Sequence, residues 1–257
     1  MYRRIMSEVD IKQNIKLVIE KIESATKNRS PTLQTEKPYL VAVSKTKPVE
    51  MIAEAYSVGQ RHFGENYVQE LVEKGGNSEI LEKCKEIKWH LIGHLQSNKV
   101  NKVVAVPGLY MIETVDSEHL ATSINRAWEK VKKEGNERLR VLVQVNTSGE
   151  EAKSGVEPKD AINLYKFIKE KCPNLIVEGV MTIGKYVEDY TSGPNEDFIS
   201  LMQCHENIVR ELNLTPRDVH VSMGMSHDFE DAIAAGSSIV RVGSSIFGIR
   251  TPKTDNK

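Results

Sequence analysis

Hydrophobic and polar positions along the chain follow two different patterns. Residues 9–26 place isoleucine, leucine and valine at helical spacing among lysine and glutamate, which predicts an amphipathic helix. Residues 39–44 read Tyr-Leu-Val-Ala-Val-Ser, a short and nearly continuous apolar run typical of a strand buried on both faces. Pro48 suits the first turn of a helix, and residues 49–58 keep helical periodicity. The first complete unit is therefore a strand followed by a helix.

The same unit recurs along the rest of the chain. Further strands are predicted at His62–Phe63, Ile87–Ile92, Leu109–Glu113, Arg140–Asn146, Ile176–Thr182, Val219–Ser222 and Ile239–Val242. Further helices are predicted at Tyr67–Lys83, Ser117–Glu134, Pro158–Lys171, Glu196–Leu212 and Asp228–Ala235. Strands that alternate with helices are parallel and joined by crossover connections.

Eight strand–helix units after one extra N-terminal helix predict an α/β fold of the (β/α)8 TIM barrel type. The alternative is an open doubly wound sheet, which usually has a Gly-rich turn after its first strand. Here that strand ends in Val-Ser-Lys-Thr, without glycine, which favours the barrel. Because no linker or composition shift divides the chain, we expect an N-terminal helix and loop at 1–37, a single barrel at 38–250 and a tail at 251–257.

Composition narrows the class of protein. The 35 Lys and Arg residues nearly balance the 36 Asp and Glu residues, which argues against binding nucleic acid or an anionic membrane through bulk charge. The three cysteines are widely spaced and form no Cys-x-x-Cys pair, so neither a disulfide framework nor a metal site is expected. No apolar run is long enough to span a bilayer, and the first ten residues lack a signal core. A soluble intracellular protein is expected.

Functional residues of a barrel lie at the carboxyl ends of its strands, so candidate chemistry is sought there. Lys45 follows strand one and shares the face of Val41 and Val43. If the valines face the interior, Lys45 emerges at the top of the barrel. It is then either an ordinary strand end that reaches solvent or an amine of lowered pKa, able to form a Schiff base with an aldehyde. Lys47 lies nearer the loop and is the weaker candidate.

Two further strand ends carry polar side chains with two interpretations each. Asn66 follows strand two and could cap the next helix or donate to a ligand oxygen. His90 lies within strand three, where it could touch a ligand or be a hydrogen-bonded core histidine. His94 is four residues further on, but that spacing aligns metal ligands only on a helix, so no metal is predicted.

The last two strand ends are the most informative. Strand seven ends in Ser222-Met-Gly224-Met-Ser, and strand eight in Arg241-Val-Gly-Ser244-Ser. Turns of glycine and hydroxyl residues let backbone N–H groups converge on an anion, and barrels bind phosphate at these two ends. A guanidinium inside a parallel strand needs an acceptor, which is either a structural carboxylate or a group on the ligand.

A lysine for an aldehyde, a phosphate-binding turn and an arginine between them together describe pyridoxal 5′-phosphate. An arginine at the pyridine nitrogen donates a hydrogen bond and keeps that nitrogen unprotonated. The ring is then a weaker electron sink than a ring paired with aspartate. Such a site suits storage of the cofactor or mild proton transfer better than transamination.

Several strings together resemble the pyridoxal phosphate homeostasis protein family, whose barrel is similar to the N-terminal barrel of bacterial alanine racemase. These strings are Leu-Val-Ala-Val-Ser-Lys45-Thr-Lys-Pro, Phe-Gly-Glu-Asn66-Tyr-Val-Gln-Glu, Trp-His90-Leu-Ile-Gly-His-Leu-Gln-Ser-Asn-Lys, Lys153-Ser-Gly, Met181-Thr-Ile-Gly, Ser222-Met-Gly-Met-Ser226 and Arg241-Val-Gly-Ser-Ser-Ile-Phe-Gly. The resemblance extends from about Tyr39 to Arg250.

The resemblance implies a role for each matched position. Lys45 would be the Schiff-base lysine, and Arg241 would lie at the ring nitrogen. Asn66 and His90 would lie near the cofactor. The phosphate would be surrounded by residues of the last two turns, namely Ser222, Met223, Gly224, Gly243 and Ser244.

Members of this family are regarded as proteins that buffer or deliver pyridoxal phosphate, with no established reaction. Alanine racemases add a β-rich domain that supplies a catalytic tyrosine, and only nine residues follow Gly248 here. A cofactor-binding protein is therefore expected, and an amino-acid racemase or isomerase is the alternative. We further expect a monomer in the cytoplasm whose partners are apo-enzymes that use the cofactor. Arg3 and Arg4 are too little basic character to predict a transit peptide, which leaves a mitochondrial pool open.

Overall fold

The protein is described from a computed structural model over residues 9–132, 137–150, 153–184 and 195–249. The predicted tail at 251–257, the first eight residues and the end of the predicted helix Ser117–Glu134 lie outside these ranges.

Eight parallel strands close into a barrel in which each strand pairs with the next and β1 pairs with β8. The prediction of a (β/α)8 barrel is thus confirmed. The strands are β1 Tyr39–Val43, β2 His62–Glu65, β3 Lys88–Leu91, β4 Leu109–Val115, β5 Leu139–Gln144, β6 Leu175–Met181, β7 His220–Ser222 and β8 Ile239–Val242. Their near-continuous apolar runs reflect burial on both faces, because the helices cover the outside of the barrel.

Helices follow the strands around the outside, after one N-terminal helix. They are α1 Ile11–Lys27, α2 Val49–Ser57, α3 Val68–Gly75, α4 Ser78–Lys83, α5 Val100–Val104, α6 Glu118–Val131, α7 Ala161–Lys171, α8 Glu196–Leu212, α9 Phe229–Ala235 and α10 Ser244–Phe247. The short helices α5 and α10 were not among the named predictions. The apolar stretches of both are too brief to show helical periodicity.

The helix predicted over Tyr67–Lys83 is two helices, and this prediction was wrong. Gly75 ends α3, Gly76 follows it, and the Asn77 side chain accepts from the Glu79 N–H to begin α4. A side chain at Gly75 would place its Cβ 2.4 Å from the Val106 side chain, so α3 packs this closely against the segment that follows α5 only with glycine there. Glycine at a helix end and asparagine at the next helix start are the ordinary residues for such a break.

Strand alternation sorts the apolar side chains into two layers. The inner layer fills the barrel with Val41, Met111, Leu142, Met181 and Ile239, all fully buried. Their neighbours along the strands point outward and pack beneath the helices. Because Val41 faces the interior, the residues of the same parity reach the top of β1 on the inner side.

The extra helix α1 packs against α9, α10 and α2. Ile11, Ile15, Val18 and Ile22 form its buried stripe. The Asn14 side chain donates to the Ile246 carbonyl of α10 at 3.0 Å. The helix is therefore attached to the last strand–helix units of the barrel.

Candidate functional site

A cavity of about 410 Å³ opens at the carboxyl ends of the strands, within the range usual for small-molecule sites. Polar side chains from the first and last strands meet in it. The polar lining consists of Lys45, Lys47, Asn66, Ser226, His227, Arg241 and Ser244. The apolar lining consists of Val43, Ile92, Ile183, Met225 and Ile249. The cavity thus combines cations and hydroxyls with an apolar wall.

Both lysines that follow β1 line this cavity. Lys47 Nζ lies 3.3 Å from the Ile249 carbonyl, to which it donates. Between the two lysines, Thr46 has a φ of 64°, the left-handed region that β-branched residues rarely adopt. The backbone between the two lysines therefore has a conformation that threonine does not favour.

The conformation of this turn is fixed by three charged side chains of β2 and α3. The Thr46 N–H donates to Glu70 at 2.7 Å, and Lys74 Nζ donates to the Ser44 carbonyl at 2.8 Å. Lys74 also donates to Glu65 at 2.7 Å and to Glu70 at 2.9 Å. These contacts hold the backbone on both sides of Lys45, and a strained backbone persists only where its surroundings impose it.

Arg241 is buried at the floor of the cavity, 4% exposed. Its Nη1 donates to Ser222 Oγ at 2.6 Å, and its Nη2 donates to the Thr182 carbonyl at 2.7 Å. A guanidinium has five N–H donors, so these two bonds leave further donors for the cavity. Burial lowers the pKa of Arg241, an effect that the nearby carboxylates Glu113 and Asp228 oppose.

The turn after β8 forms the other side of the cavity. Gly243 packs against Val43, where a Cβ would lie 3.1 Å from the Val43 carbonyl oxygen. Its N–H donates to Ser226 Oγ of the β7 turn at 3.1 Å, which ties the two turns together. Ser244 and Ser245 begin α10, and the first N–H groups of a helix have no acceptor within it. The two turns therefore offer hydroxyls and backbone donors side by side.

Asn66 lines the cavity and does not cap α3, whose N-cap residue is Tyr67 and has no side-chain cap bond. Its Oδ1 is buried and has no hydrogen-bond partner among the described residues. Gly93 packs onto it closely, since a Cβ there would lie 2.0 Å from the Asn66 carbonyl oxygen. The structure therefore does not show the helix cap, and a contact between Asn66 and a ligand stays a prediction.

His90 and Ser222 do not line the cavity. His90 is fully buried in the barrel interior, where its ring contacts Glu113 and His62. It is thus a hydrogen-bonded core histidine, the second of its two interpretations. Ser222 is also fully buried and reaches the cavity only through its bond with Arg241.

Met223 and Gly224 also lie away from the cavity wall. Alternation along the chain turns Met223 outward, into the apolar layer beneath the helices, and its N–H donates to Ile239. Gly224 has a φ of 93° and its carbonyl accepts from the Arg241 N–H. A Cβ at Gly224 would lie 2.5 Å from Ala232, so this turn requires glycine for the approach of α9.

Ser226 and His227 line the cavity but were not among the predicted residues. They belong to the same turn as Ser222, and their position beyond the strand end was the available signal. Glu113 was also missed as part of the site. It was visible only as a charged residue at the end of a predicted strand, and its contacts come from β3 and β7.

A second cavity of about 520 Å³ lies at the amino ends of the strands. Its charged lining mixes both signs, with Arg138, Lys169 and Arg217 beside Glu36, Glu178 and Asp218. Over the described ranges, no group of three or more His, Cys, Asp or Glu side chains is placed to hold a metal ion. None of the helices described is both long and apolar enough to cross a membrane.

Fold and cavity together define a class of protein, a (β/α)8 barrel with a cavity of small-molecule size at the carboxyl ends of its strands. The family model of the alanine racemase N-terminal domain matches residues 18–251. PipY of Synechococcus elongatus, in a structure with PLP bound, has a TM-score of 0.73 and 27% identity, covering 93% of this chain and 100% of PipY.

Two curated relatives indicate a narrower family within this class. The pyridoxal phosphate homeostasis protein of Bos taurus is 51% identical over 97% of this chain and 91% of its own length. The human protein of the same name is 50% identical over 95% of this chain and 88% of its own length. The chain belongs to the pyridoxal phosphate homeostasis protein family. The names of these relatives describe homeostasis of a cofactor and no reaction.

Proposed function

We propose that this protein binds pyridoxal 5′-phosphate through a Schiff base to Lys45 and serves the homeostasis of that cofactor by buffering or delivering it. The observation that carries the proposal is that Lys45, Arg241 and the Gly243–Ser244 turn line one cavity. These groups match an aldehyde, a pyridine nitrogen and a phosphate, the three polar parts of the cofactor. The names of the curated relatives and the PLP-bound structure of PipY support it.

The residues present fit this cofactor. The amine of Lys45 would bind its aldehyde carbon, and Asn66, with its unpartnered buried Oδ1, would contact the ring substituents. Ser226 and Ser244 would hold the phosphate oxygens. Ile92 and Ile183 offer apolar surface to the ring. Bound there, the cofactor supplies an aldehyde that joins primary amines and a ring that withdraws electrons.

Arg241 limits the chemistry that the site supports. A guanidinium stays protonated and donates hydrogen bonds only, so it holds the pyridine nitrogen in its unprotonated form. The electron-withdrawing power of the ring is then lower than with a protonated nitrogen. Retention and release of the cofactor fit this arrangement better than bond cleavage at an amino acid.

Substitution of the two lysines tests the assignment. With pyridoxal phosphate added, the wild-type protein should show the absorbance of a lysine-bound cofactor, and borohydride reduction should fix the cofactor on Lys45, as mapped by mass spectrometry. Lys45→Ala should lose this band and Lys47→Ala should keep it, because both lysines line the same cavity but only Lys45 would bond to the aldehyde. Loss of the band in Lys47→Ala alone would overturn the assignment.

Binding without turnover is a separate expectation. The cofactor-loaded protein, incubated with L-alanine or L-serine, should form D-isomers no faster than free cofactor does. Turnover above that level that disappears in Lys45→Ala would identify a racemase instead.

The wider setting belongs to the same proposal. We place the cofactor-binding unit at residues 38–250, preceded by an N-terminal helix and loop at 1–37 and followed by a tail at 251–257. The partners of the protein are apo-enzymes that use pyridoxal phosphate, and it acts as a monomer in the cytoplasm. Pull-down with cofactor-free aminotransferases, and sedimentation of the loaded protein, would test these expectations.

A further inference from the structure

A chain of polar side chains runs through the barrel interior from the floor of the cavity. Arg241 Nη1 donates to Ser222 Oγ at 2.6 Å, and Ser222 Oγ donates to Glu113 Oε2 at 2.5 Å. His90 Nδ1 lies 2.7 Å from Glu113 Oε1, and His90 Nε2 lies 2.8 Å from His62 Nδ1. Five strands thus contribute to one connected network below the cavity.

The chemistry of the end groups fixes the direction of each bond between Arg241 and Glu113. A guanidinium only donates, and an ionised carboxylate only accepts. The Ser222 hydroxyl must therefore point its proton at Glu113 and its lone pairs at Arg241. The carboxylate and the guanidinium are thus linked by hydrogen bonds through this one hydroxyl.

Burial makes this arrangement important for Arg241. Glu113 and Ser222 are fully buried and Arg241 is 4% exposed. A buried charge left without its counterpart is expensive, whereas opposite charges in one network compensate each other. Burial by itself raises the pKa of Glu113, but the hydrogen bond and charge of His90, the charge of Arg241 and the Ser222 bond outweigh it and lower that pKa. Glu113 therefore favours its ionised form and, together with Asp228, balances the charge of Arg241.

We infer that Glu113 is a positioning residue for the cofactor site. Through Ser222 it fixes the plane of the Arg241 guanidinium, so that the remaining N–H donors of Arg241 face the pyridine nitrogen. This inference rests on the proposed function, and it assigns a role to a side chain that does not line the cavity. His90 holds the other carboxylate oxygen and keeps Glu113 in place.

The inference is tested with Glu113→Gln in the full-length protein loaded with pyridoxal phosphate. An amide can donate to Ser222, which frees the hydroxyl proton to turn away, so the lone pair of Ser222 that accepts from Arg241 is no longer held in one direction. The cofactor should leave about tenfold faster, the effect of losing one hydrogen bond to a charged group. The absorption maximum of the bound cofactor should shift as well, because the contact at the ring nitrogen changes.

Glu178→Gln is the matched control. Glu178 is also a barrel carboxylate bonded to an arginine, at 3.2 Å from Arg140, but it lies at the amino ends of the strands. This variant should keep the wild-type spectrum and release rate. Ser222→Ala leaves both charges in place and should reproduce the faster release and the spectral shift. It carries the test if Glu113→Gln does not fold.

A double-mutant cycle separates positioning from a structural role. In an Arg241→Met background, Glu113→Gln should change neither the release rate nor the spectrum further, because its action passes through Arg241. An undiminished effect in that background would overturn the inference, and so would wild-type release in both Glu113→Gln and Ser222→Ala. If the wild-type protein shows no Lys45-dependent band, the proposed function fails, and this inference fails with it.

Discussion

His62 is a titratable residue kept uncharged by its place in the barrel. Burial lowers its pKa to about 3, and the positive charges of His90, Lys88 and Arg140 act in the same direction. The ring packs between Tyr39 and Tyr110 at centroid distances of 4.7 and 5.0 Å. In an unfolded chain, the same imidazole has a pKa of about 6.5. The unfolded state therefore binds a proton that the folded state does not.

The stability of the protein should fall as the pH drops below about 6.5, the value at which an unfolded histidine begins to take up its proton. Above that pH His62 is neutral in both states, so it does not lower the free energy of unfolding. Below it, His62 should cost about 1.4 kcal/mol per pH unit until its folded pKa is reached. Urea unfolding at pH 7, 6 and 5 measures this slope.

His62→Asn should flatten that slope by about one proton, since the neutral side chain does not titrate. His119→Asn, on the exposed face of α6, is the control and should leave the slope unchanged. Equal slopes in wild type and His62→Asn would contradict the expectation. The burial of His205 and His220 also lowers their pKa values, so part of the slope should remain in the variant.

Some site residues could be predicted from the sequence and others could not. Arg241 stood out because a charged residue inside an apolar strand needs a reason, and Lys45 because it follows such a strand at its carboxyl end. The resemblance implied that Met223 and Ser222 both surround the phosphate, although strand alternation places the two on opposite faces. Glu113 could not be found, because its partner Ser222 comes from a strand far along the chain.

At the level of elements, α3 and β2 together support the turn that carries the lysines. Lys74 of α3 lies between Glu65 and Glu70, and its side chain is 9% exposed while that of Glu65 is buried completely. Burial raises the pKa of Glu65, although Lys74 and Ser44 act in the opposite direction. Removal of Lys74 would leave a buried carboxylate and the Ser44 carbonyl without their donor.

Lys74→Met should therefore destabilise the protein by about 3 kcal/mol, the usual effect of removing one partner of a buried ion pair. Lys83→Met is the matched control in α4. Lys83 pairs with Glu79 one turn earlier but is exposed, so its loss should change the stability much less than the loss of Lys74. Chemical denaturation of both variants gives the two values, and a similar small effect for both would argue against this role of Lys74.

The elements themselves were largely predictable for a physical reason. Strands covered by helices on one side and a packed interior on the other are apolar on both faces, so they stand out as runs. The sequence signals the break between α3 and α4 at Gly75, Gly76 and Asn77, but the helical spacing of apolar residues continues across it. Helix α5 was missed because it has only five residues.

On the scale of the whole molecule, the N-terminal helix α1 packs against the last two helices of the barrel, α9 and α10. The side chain of Ile15 in α1 is 2% exposed. The Asn14 side chain donates a hydrogen bond to α10, whose first residue Ser244 lines the cavity. Helix α1 is thus packed directly against the helix that forms part of the cavity wall.

Ile15→Ala should destabilise the protein by about 2–5 kcal/mol, the range for removing a large buried aliphatic side chain. Leu17→Ala, two residues further on but 46% exposed, should change stability by less than about 0.5 kcal/mol. Thermal or urea unfolding measures both variants. A loss in Ile15→Ala no larger than in Leu17→Ala would show that α1 contributes little to the barrel.

The pairing of β1 with β8 also determines at which stage of folding the protein becomes able to bind a cofactor. Val41 lies beside Arg241 in this pairing, so the lysine and the guanidinium meet only when the first and last strands join. During synthesis, Lys45 is made early, whereas Arg241 is made only when almost the entire chain is complete. Contacts between distant parts of a chain form late in folding. A cofactor that needs both groups therefore binds and stabilises only the finished ring, and its retention reports that closure is complete.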